Sequence, residues 1–411
     1  MSEARRTLPW NSRPVDEALR ERAEAFDRLC APDFAPVRRA ALERLGEVGI
    51  PTARNEAFTY MNPAPLFRAD ADSWYGAPLP SPPEETVPAG PICPHAMCVA
   101  RPDGGNLLEE EILRAERTTD PVELYALCFA DRFDWVRIPP RDEAGNPVVA
   151  RLAARPRPVA EGRLSSSALR LRLDEGSAAV VEILPVENDV DGWSHLSLAV
   201  ELGPGSRLTL VGAQPPMKRA AVTSSICVEQ AEGSLLEFRE FRGGSPLARG
   251  HVEVHLDGEG ARCELRSLST LRDEAEQHHH VRIFHHAPRC ESDQLYRQIV
   301  FDAASASVDG SVRVDRGADG TKSNQLIRSL LLGDKASAAG KPQLLIFADD
   351  VQCDHGATHG SLDDEELFYL LSRGFAPDRA RAALVAGFAQ EIVDLFPECG
   401  ARKIAAQWTR Q

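Results

Sequence analysis

From Leu169 to Phe347 the chain alternates apolar and polar residues in short runs, and no other pattern covers as much of it. Leu196-Ser197-Leu198, Val200-Glu201-Leu202 and Val252-Glu253-Val254-His255-Leu256 put successive side chains on opposite faces of an extended strand. Such runs recur at Leu169–Leu173, Ala179–Leu184, Leu196–Leu202, Arg207–Val211, Thr223–Val228, Leu235–Phe241 and Val252–Leu256. They continue at Cys263–Leu268, His279–Ile283, Gln294–Val300, Ser305–Val314, Leu326–Leu332 and Gln343–Phe347, and an earlier one starts near Trp135. About a dozen strands with little helix between them predict an all-β body. Periodicity does not separate a sandwich from a solenoid. No strict repeat is visible, which excludes a regular hexapeptide β-helix and leaves an irregular solenoid open.

Both ends read as helix. Leu19, Ala23, Phe26, Leu29 and Cys30 form one helical stripe, and Val37, Ala41, Leu42 and Leu45 continue it beyond Pro36 until Gly49-Ile50-Pro51. Residues 71–95 hold a proline cluster that excludes regular structure and reads as a linker. Helices are predicted over Asn106–Ala115 and from Pro121 to Ala130. Past Gly360, Ser361 is placed to cap a helix carrying Leu367, Phe368, Tyr369, Leu370 and Leu371, and a second runs from Pro377 to Phe396. This αα-hairpin must bury its apolar face on the β body or on another chain. The expected organisation is a helical region with its linker over 1–134, a β core over 135–350 and a helical domain over 351–411.

Composition narrows the class. Of 411 residues, 43% are apolar and 27% charged, and no apolar run approaches the roughly 18 residues of a membrane span. Early arginines without an apolar h-region do not make a secretory leader, so a cytoplasmic protein is expected. A formal charge of −15 argues against nucleic-acid binding, which needs a basic stripe. Nine scattered cysteines without a CxxC pair read as reduced thiols.

Several motifs fail on inspection. Gly317-Ala318-Asp319-Gly320-Thr321-Lys322 lacks the spacing of a phosphate loop, and Gly203-Pro204-Gly205 has Leu208 where a dinucleotide fingerprint needs glycine. His278, His279, His280, His285 and His286 form the densest imidazole group. His278 and His280 share a face in a strand, but without thiols or carboxylates at ligand spacing they read as solvated histidines at a strand end. Cys93 and Cys98 bracket His95 with no identifiable fourth zinc ligand.

The chemistry concentrates in Phe347 to Gly360, FADDVQCDHGATHG, which follows an apolar run and precedes a helix. Cys353 and His355 are two apart, so in continued strand geometry a soft sulfur and a borderline nitrogen, suited to iron or zinc, leave on one face. His359 joins them only if the chain bends. Asp349, Asp350 and Asp354 disfavour a free thiolate and attract a cation. The alternative is a turn held by aspartate side chains, with Cys353 half-buried and no metal.

The stretch from Ala348 to Gly360, followed by Leu362-Asp363-Asp364-Glu365-Glu366-Leu367 and onward to Gly374, closely resembles the SufD type of the SufB/SufD family of iron–sulfur cluster assembly scaffolds. Gln294-Leu295-Tyr296-Arg297, Val308-Asp309-Gly310-Ser311, Leu330-Leu331-Leu332, Gly49-Ile50-Pro51-Thr52 and Asn55 to Tyr60 resemble further family segments. Gly356 and Gly360 follow the SufD form, and His359 departs from it.

The resemblance implies a right-handed parallel β-helix core flanked by N-terminal and C-terminal helical regions. It implies a non-enzymatic scaffold that pairs with a SufB-like subunit, β-helix to β-helix, or with a second copy of itself when alone. A SufC-like ATPase would dock on the C-terminal helices, where Leu367, Phe368, Tyr369, Leu384 and Phe388 are the candidate contacts. Cys353 and His355 match positions facing SufB, where a transient iron–sulfur cluster is built. No ATP site is expected in this chain, and the residues do not decide on a flavin. Two other readings of the residues stay open: a metal-dependent enzyme using Cys353 and His355, and a β-solenoid interaction protein without a metal role.

Overall fold

The computed structural model describes residues 12–29, 34–67, 105–140, 149–154, 156–160 and 162–409. The proline cluster of 71–95 and the Cys93–His95–Cys98 group lie outside these residues. Two eight-stranded, wholly parallel sheets form the core. Sheet one holds β1 (Ala130–Ile138), β3 (Leu164–Leu173), β5 (Trp193–Leu202), β7 (Ala221–Gln230), β9 (Ala248–Leu256), β11 (Glu276–His285), β13 (Ser305–Val314) and β15 (Ser337–Ile346). Sheet two holds β2 (Val149–Ala154), β4 (Ala178–Ile183), β6 (Arg207–Gln214), β8 (Leu235–Arg242), β10 (Arg262–Leu271), β12 (Glu291–Val300), β14 (Thr321–Leu331) and β16 (Val351–Gly360). The chain crosses from one sheet to the other at every strand, so each pair of strands is one coil of a parallel β-solenoid. A sandwich is thereby ruled out. The expected β core with helices at both ends is what forms.

Apart from one shift between Ala130 and Arg132 in β1, the register runs without a break and stacks residue on residue. Leu171, Val200, Val228, Val254, Ile283, Val312 and Leu344 make one column, each pairing with the next. In sheet two the column Leu152, Val181, Leu210, Phe238, Leu265 turns polar at Gln294 and Gln325 and ends at His355. These columns form the main core between the sheets.

The corners supply the repeat that the sequence conceals. Gly176, Gly205, Gly233, Gly260 and Gly320 all have φ between 63° and 75°, and Arg289 fills the same place at 58°. Each donates its backbone N–H one coil onward: Gly176 to Pro204 O (2.8 Å), Gly205 to Glu232 O (2.8 Å), Gly233 to Glu259 O (2.9 Å), Gly260 to Pro288 O (3.1 Å), Arg289 to Asp319 O (2.8 Å) and Gly320 to Asp350 O (2.7 Å). A left-handed residue is strained with a Cβ, which explains glycine at five of the six corners. Gly320 of the rejected phosphate-loop motif and Gly205 of the rejected dinucleotide fingerprint are two of these corners.

Three boundaries differ from expectation. Strand β1 begins at Ala130, inside the expected helical region, β2 was not foreseen, and residues 351–360 of the expected helical domain form β16. The histidines of β11 are not solvated. His278, His279 and His285 are buried; His279 Nδ1 lies 3.6 Å from Glu240, His285 Nε2 is 2.9 Å from Ser292 Oγ, and His280 Nδ1 is 2.9 Å from His251.

The N-terminal helices α1 (Glu17–Leu29), α2 (Ala35–Val48), α3 (Gly105–Arg117) and α4 (Pro121–Cys128) build a second core with Phe58, Met61 and Trp193. Buried polar pairs fix α3 and α4 to sheet one: Arg170 to Glu111 at 2.5 Å, Ser197 to Glu123 at 2.8 Å and Arg249 to Asp120 at 2.7 Å. Burial pushes the Asp120 carboxyl up, yet the Arg249 guanidinium holds it well below the carboxylate range.

At the other end, α5 (Asp364–Ser372), α6 (Pro377–Val393) and α7 (Gly400–Trp408) follow the last strand. Asp363, not Ser361, caps α5, accepting from the N–H groups of Glu365 and Glu366 at 2.8 and 3.0 Å. Ala389, Ile392, Val393 and Phe396 bury the far end of the hairpin against Val211, Phe241, Leu268 and Ile299 of sheet two. Among the described residues no helix is long and apolar enough to cross a membrane.

Candidate functional site

The register places Cys353 on Ser323 and His355 on Gln325, so both occupy columns that run down the inside of the solenoid. Behind Cys353 stand Ser323, Ser292 and Cys263; behind His355 stand Gln325, Gln294 and Leu265. In the inner coils these positions are sealed, with Ser323 at 4% and Gln325 at 0% exposure. They are also bonded to one another, Ser292 to Ser323 at 2.9 Å and Gln325 to Gln294 at 3.4 Å. Nothing stacks beyond β16. Cys353 is therefore only half-buried, at the margin of the main core, and His355 is exposed. The expected shared face is present, and its cause is continued strand pairing.

Burial first, and the neighbouring Asp354 charge second, push the Cys353 thiol up, with a backbone hydrogen bond from Ser323 acting against them. Both effects favour the protonated thiol over the thiolate. Asp349 and Asp350 serve another purpose: they form the last corner, where Asp350 O accepts from Gly320. His359 needs no bend to share the face, since it follows in the same alternation. It lies across the coil from Gly340 of β15, where a Cβ would stand 3.2 Å from His359 Nε2, and burial pushes its imidazole down. Among the described residues, no third histidine, cysteine or carboxylate comes within common ligand reach of Cys353 and His355. The arrangement offers part of a ligand set and leaves the rest open.

The surrounding coil is open in the same way. Val314 of β13 is fully buried, but Ile346, its register partner in β15, is 40% exposed, and Leu345 and Phe347 are 50% and 52% exposed. Strands β15 and β16 are the outer strands of their sheets, so each presents an unpaired row of backbone donors and acceptors. The columns behind the site escape sequence inspection, because only register brings Ser323 and Gln325 beneath Cys353 and His355. Gly310 is one readable sign: a side chain there would collide with Gln325 Nε2.

The proposed hairpin contacts are split. Phe368 and Tyr369 of α5 are 71% and 55% exposed, and no α5 residue is buried. Leu367 and Leu384 are half-covered. Phe388 lies against the β body, its ring 4.7 Å beneath the Arg297 guanidinium and its carbonyl accepting from Arg297.

Comparison with known proteins places these features. Residues 159–388, from just before β3 into α6, match the family described as SUF system FeS cluster assembly, SufBD core domain. The chain is 35% identical over 225 residues to Protein ABCI7, chloroplastic, of Arabidopsis thaliana, covering 54% of this chain and 47% of the relative. It is 28% identical over 236 residues to the iron-sulfur cluster assembly protein SufD of Escherichia coli, covering 57% and 55%. An iron-sulfur cluster assembly SufBD family protein of Synechocystis is 32% identical over 205 residues, covering 50% and 45%. The chain thus spans about half the length of the curated relatives it matches.

Proposed function

The chain belongs to the SufBD core family of the SUF system for FeS cluster assembly, and from that premise we propose that it is a SufD-like scaffold subunit whose last coil is completed by a SufB-like chain. One observation carries the reading: Cys353 and His355 end inward-facing columns on a coil whose apolar and backbone edges are uncovered. A second solenoid laid on β15 and β16 would cover Ile346, pair the free backbone groups and bring the remaining ligands. The transient cluster is cargo built between the chains. Iron binding at Cys353 replaces the thiol proton, and His355 supplies a neutral imidazole. When alone, a second copy of this chain takes the same edge.

The exposed face of α5, with Leu367, Phe368 and Tyr369, and Leu384 on α6, is the docking surface for a SufC-like ATPase. Phe388, gripped by Arg297, links that hairpin to the body. ATP acts on the last coil to the extent that it binds the closed ATPase pair more tightly than the open one. The chain itself is a scaffold, not an enzyme, and works where thiols stay reduced; Cys128, Cys227, Cys263, Cys290, Cys353 and Cys399 are free.

The test is a purified three-component complex of this chain, a SufB-like chain and a SufC-like ATPase, loaded with iron and sulfide. His355→Ala is expected to enter the complex but lose the visible absorbance of the assembled cluster. A variant complex that builds the cluster normally contradicts the site, and failure of the unaltered chains to associate contradicts the function.

A further inference from the structure

A separate group of ligand-type side chains lies on the outer face of sheet one, three to four coils from the last. We propose that Cys227, Glu253 and His255 bind a borderline divalent transition-metal cation, of the class of Zn²⁺ or Fe²⁺, with its fourth side open to the neighbouring cavity. Cys227 and Glu253 are register partners on β7 and β9, and His255 follows Glu253 on the same face. The site is therefore built on paired strands, which hold side chains more rigidly than loops do. One ligand atom from each residue lies within 4.8 Å of the other two. Metal bonds of about 2.0–2.3 Å need ligand atoms only a little closer than that, so small side-chain adjustments close the set. Thiolate, imidazole and carboxylate together suit a cation between the hard and soft extremes.

A hydrogen-bond chain gives the second argument. His286 Nδ1 lies 2.7 Å from Asp315 Oδ2, His286 Nε2 lies 3.1 Å from His255 Nδ1, and His255 Nε2 lies 3.0 Å from Glu253 Oε1. Both carboxylates only accept, so His286 Nδ1 and His255 Nε2 must each present a proton or a cation, and the contact between His286 Nε2 and His255 Nδ1 needs one proton more. Two neutral imidazoles supply two protons, so either one ring is an imidazolium or a cation stands in for the missing proton between His255 Nε2 and Glu253. Outer partners that fix a ligand histidine in this way are the usual support of a metal site. Arg282 Nη1 lies 3.5 Å from the other oxygen, Glu253 Oε2, leaving Oε1 for the cation.

The three residues line a cavity of about 920 Å³ beneath α3, which gives an ion or exchanging ligand a route in. A second triad, His255, Asp257 and His286, shares His255 but has two exposed members and no thiol. The same hydrogen-bond chain engages its facing nitrogens with each other. The cluster through Cys227 is favoured on both counts.

Cobalt reports the ligand set directly, because a Co²⁺–thiolate bond gives an intense near-ultraviolet charge-transfer band. Titration of Co²⁺ into the full, reduced chain is expected to give a saturable band that Zn²⁺ displaces. Cys353→Ser, which abolishes the proposed cluster site, should leave it, and adding Cys227→Ser to that chain should remove it. Asp315→Asn should weaken apparent affinity roughly ten- to a hundredfold, and Asp257→Asn should leave the band in place. Absence of a saturable band overturns the proposal, showing that a proton fills the gap between His255 and Glu253. So does a band that survives Cys227→Ser in the chain that already carries Cys353→Ser. If that variant does not fold, thiol alkylation of the unaltered chain decides: Zn²⁺ must protect Cys227, and an unprotected Cys227 refutes the site.

Discussion

The inner coils and the last coil are built from the same columns and differ in what lies beyond them. Val314 is fully buried and Ile346, next in its column, is 40% exposed. Gln325 is sealed and hydrogen-bonded, while His355, stacked on it, is open. Polar side chains of the inner coils bond to one another, as Ser292 does to Ser323 and Gln294 to Gln325. In the last coil the same positions have no further coil stacked on them. The proposed site lies where these structural columns stop.

That contrast breaks most sharply by substitution along one column. Leu265→Ala removes a buried side chain three coils behind His355 and should cost about 2–5 kcal/mol, whereas His355→Ala should stay within about 0.5 kcal/mol. Urea unfolding of both variants checks this. Comparable losses would mean that the last coil is a load-carrying part of the core.

Acid sharpens the same contrast. Burial pushes the imidazoles of His195 down to about 3 and of His279 and His285 to about 4, so all three are neutral in the folded chain near neutrality. The unfolded chain protonates them below about pH 6.5. Their contribution is therefore complete above about 6.5 and drains as pH falls towards 4, at about 1.4 kcal/mol per group per pH unit. Urea midpoints should fall over that window, and more shallowly in His285→Gln. A flat profile would show that these rings are not sealed.

Corners give a smaller effect. Gly233→Ala places a Cβ at φ 63° with nothing within 4 Å, so only backbone strain of about 1–2 kcal/mol is expected in thermal unfolding. The smallest effect belongs to the open edge. Ile346→Ser should change the free chain by less than about 0.5 kcal/mol while weakening its association with a SufB-like chain in a pull-down. Val314→Ser in the column behind should instead destabilise the fold.

Most strands were legible because Val, Leu and Ile alternate with polar residues wherever both neighbouring coils are present. The same rule hid β16. After Val351 its inward positions are Cys353, His355, Ala357 and His359, and hydrophobic alternation records burial that an end coil lacks. The corner repeat escaped notice because a single glycine per coil recurs among otherwise unlike residues, and Arg289 breaks even that. His278, His279 and His280 looked like one group, yet the pleat sends His279 inward to Glu240 and the other two outward. Cys227, Glu253 and His255 carry no spacing motif because strand register, not chain proximity, assembles them. The αα-hairpin was readable as amphipathic, but its stripe did not reveal that Ala389 to Phe396 belongs to the body and Phe368 and Tyr369 to solvent.

The central claim is that a SufB-like chain completes the last coil, and amide hydrogen exchange tests it most directly. With this chain free and then mixed with the SufB-like chain, the amides of β15 and β16 are predicted to slow strongly while those of β3 to β8 stay unchanged. Protection confined to other elements, or none at all in a complex that has formed, would contradict the account.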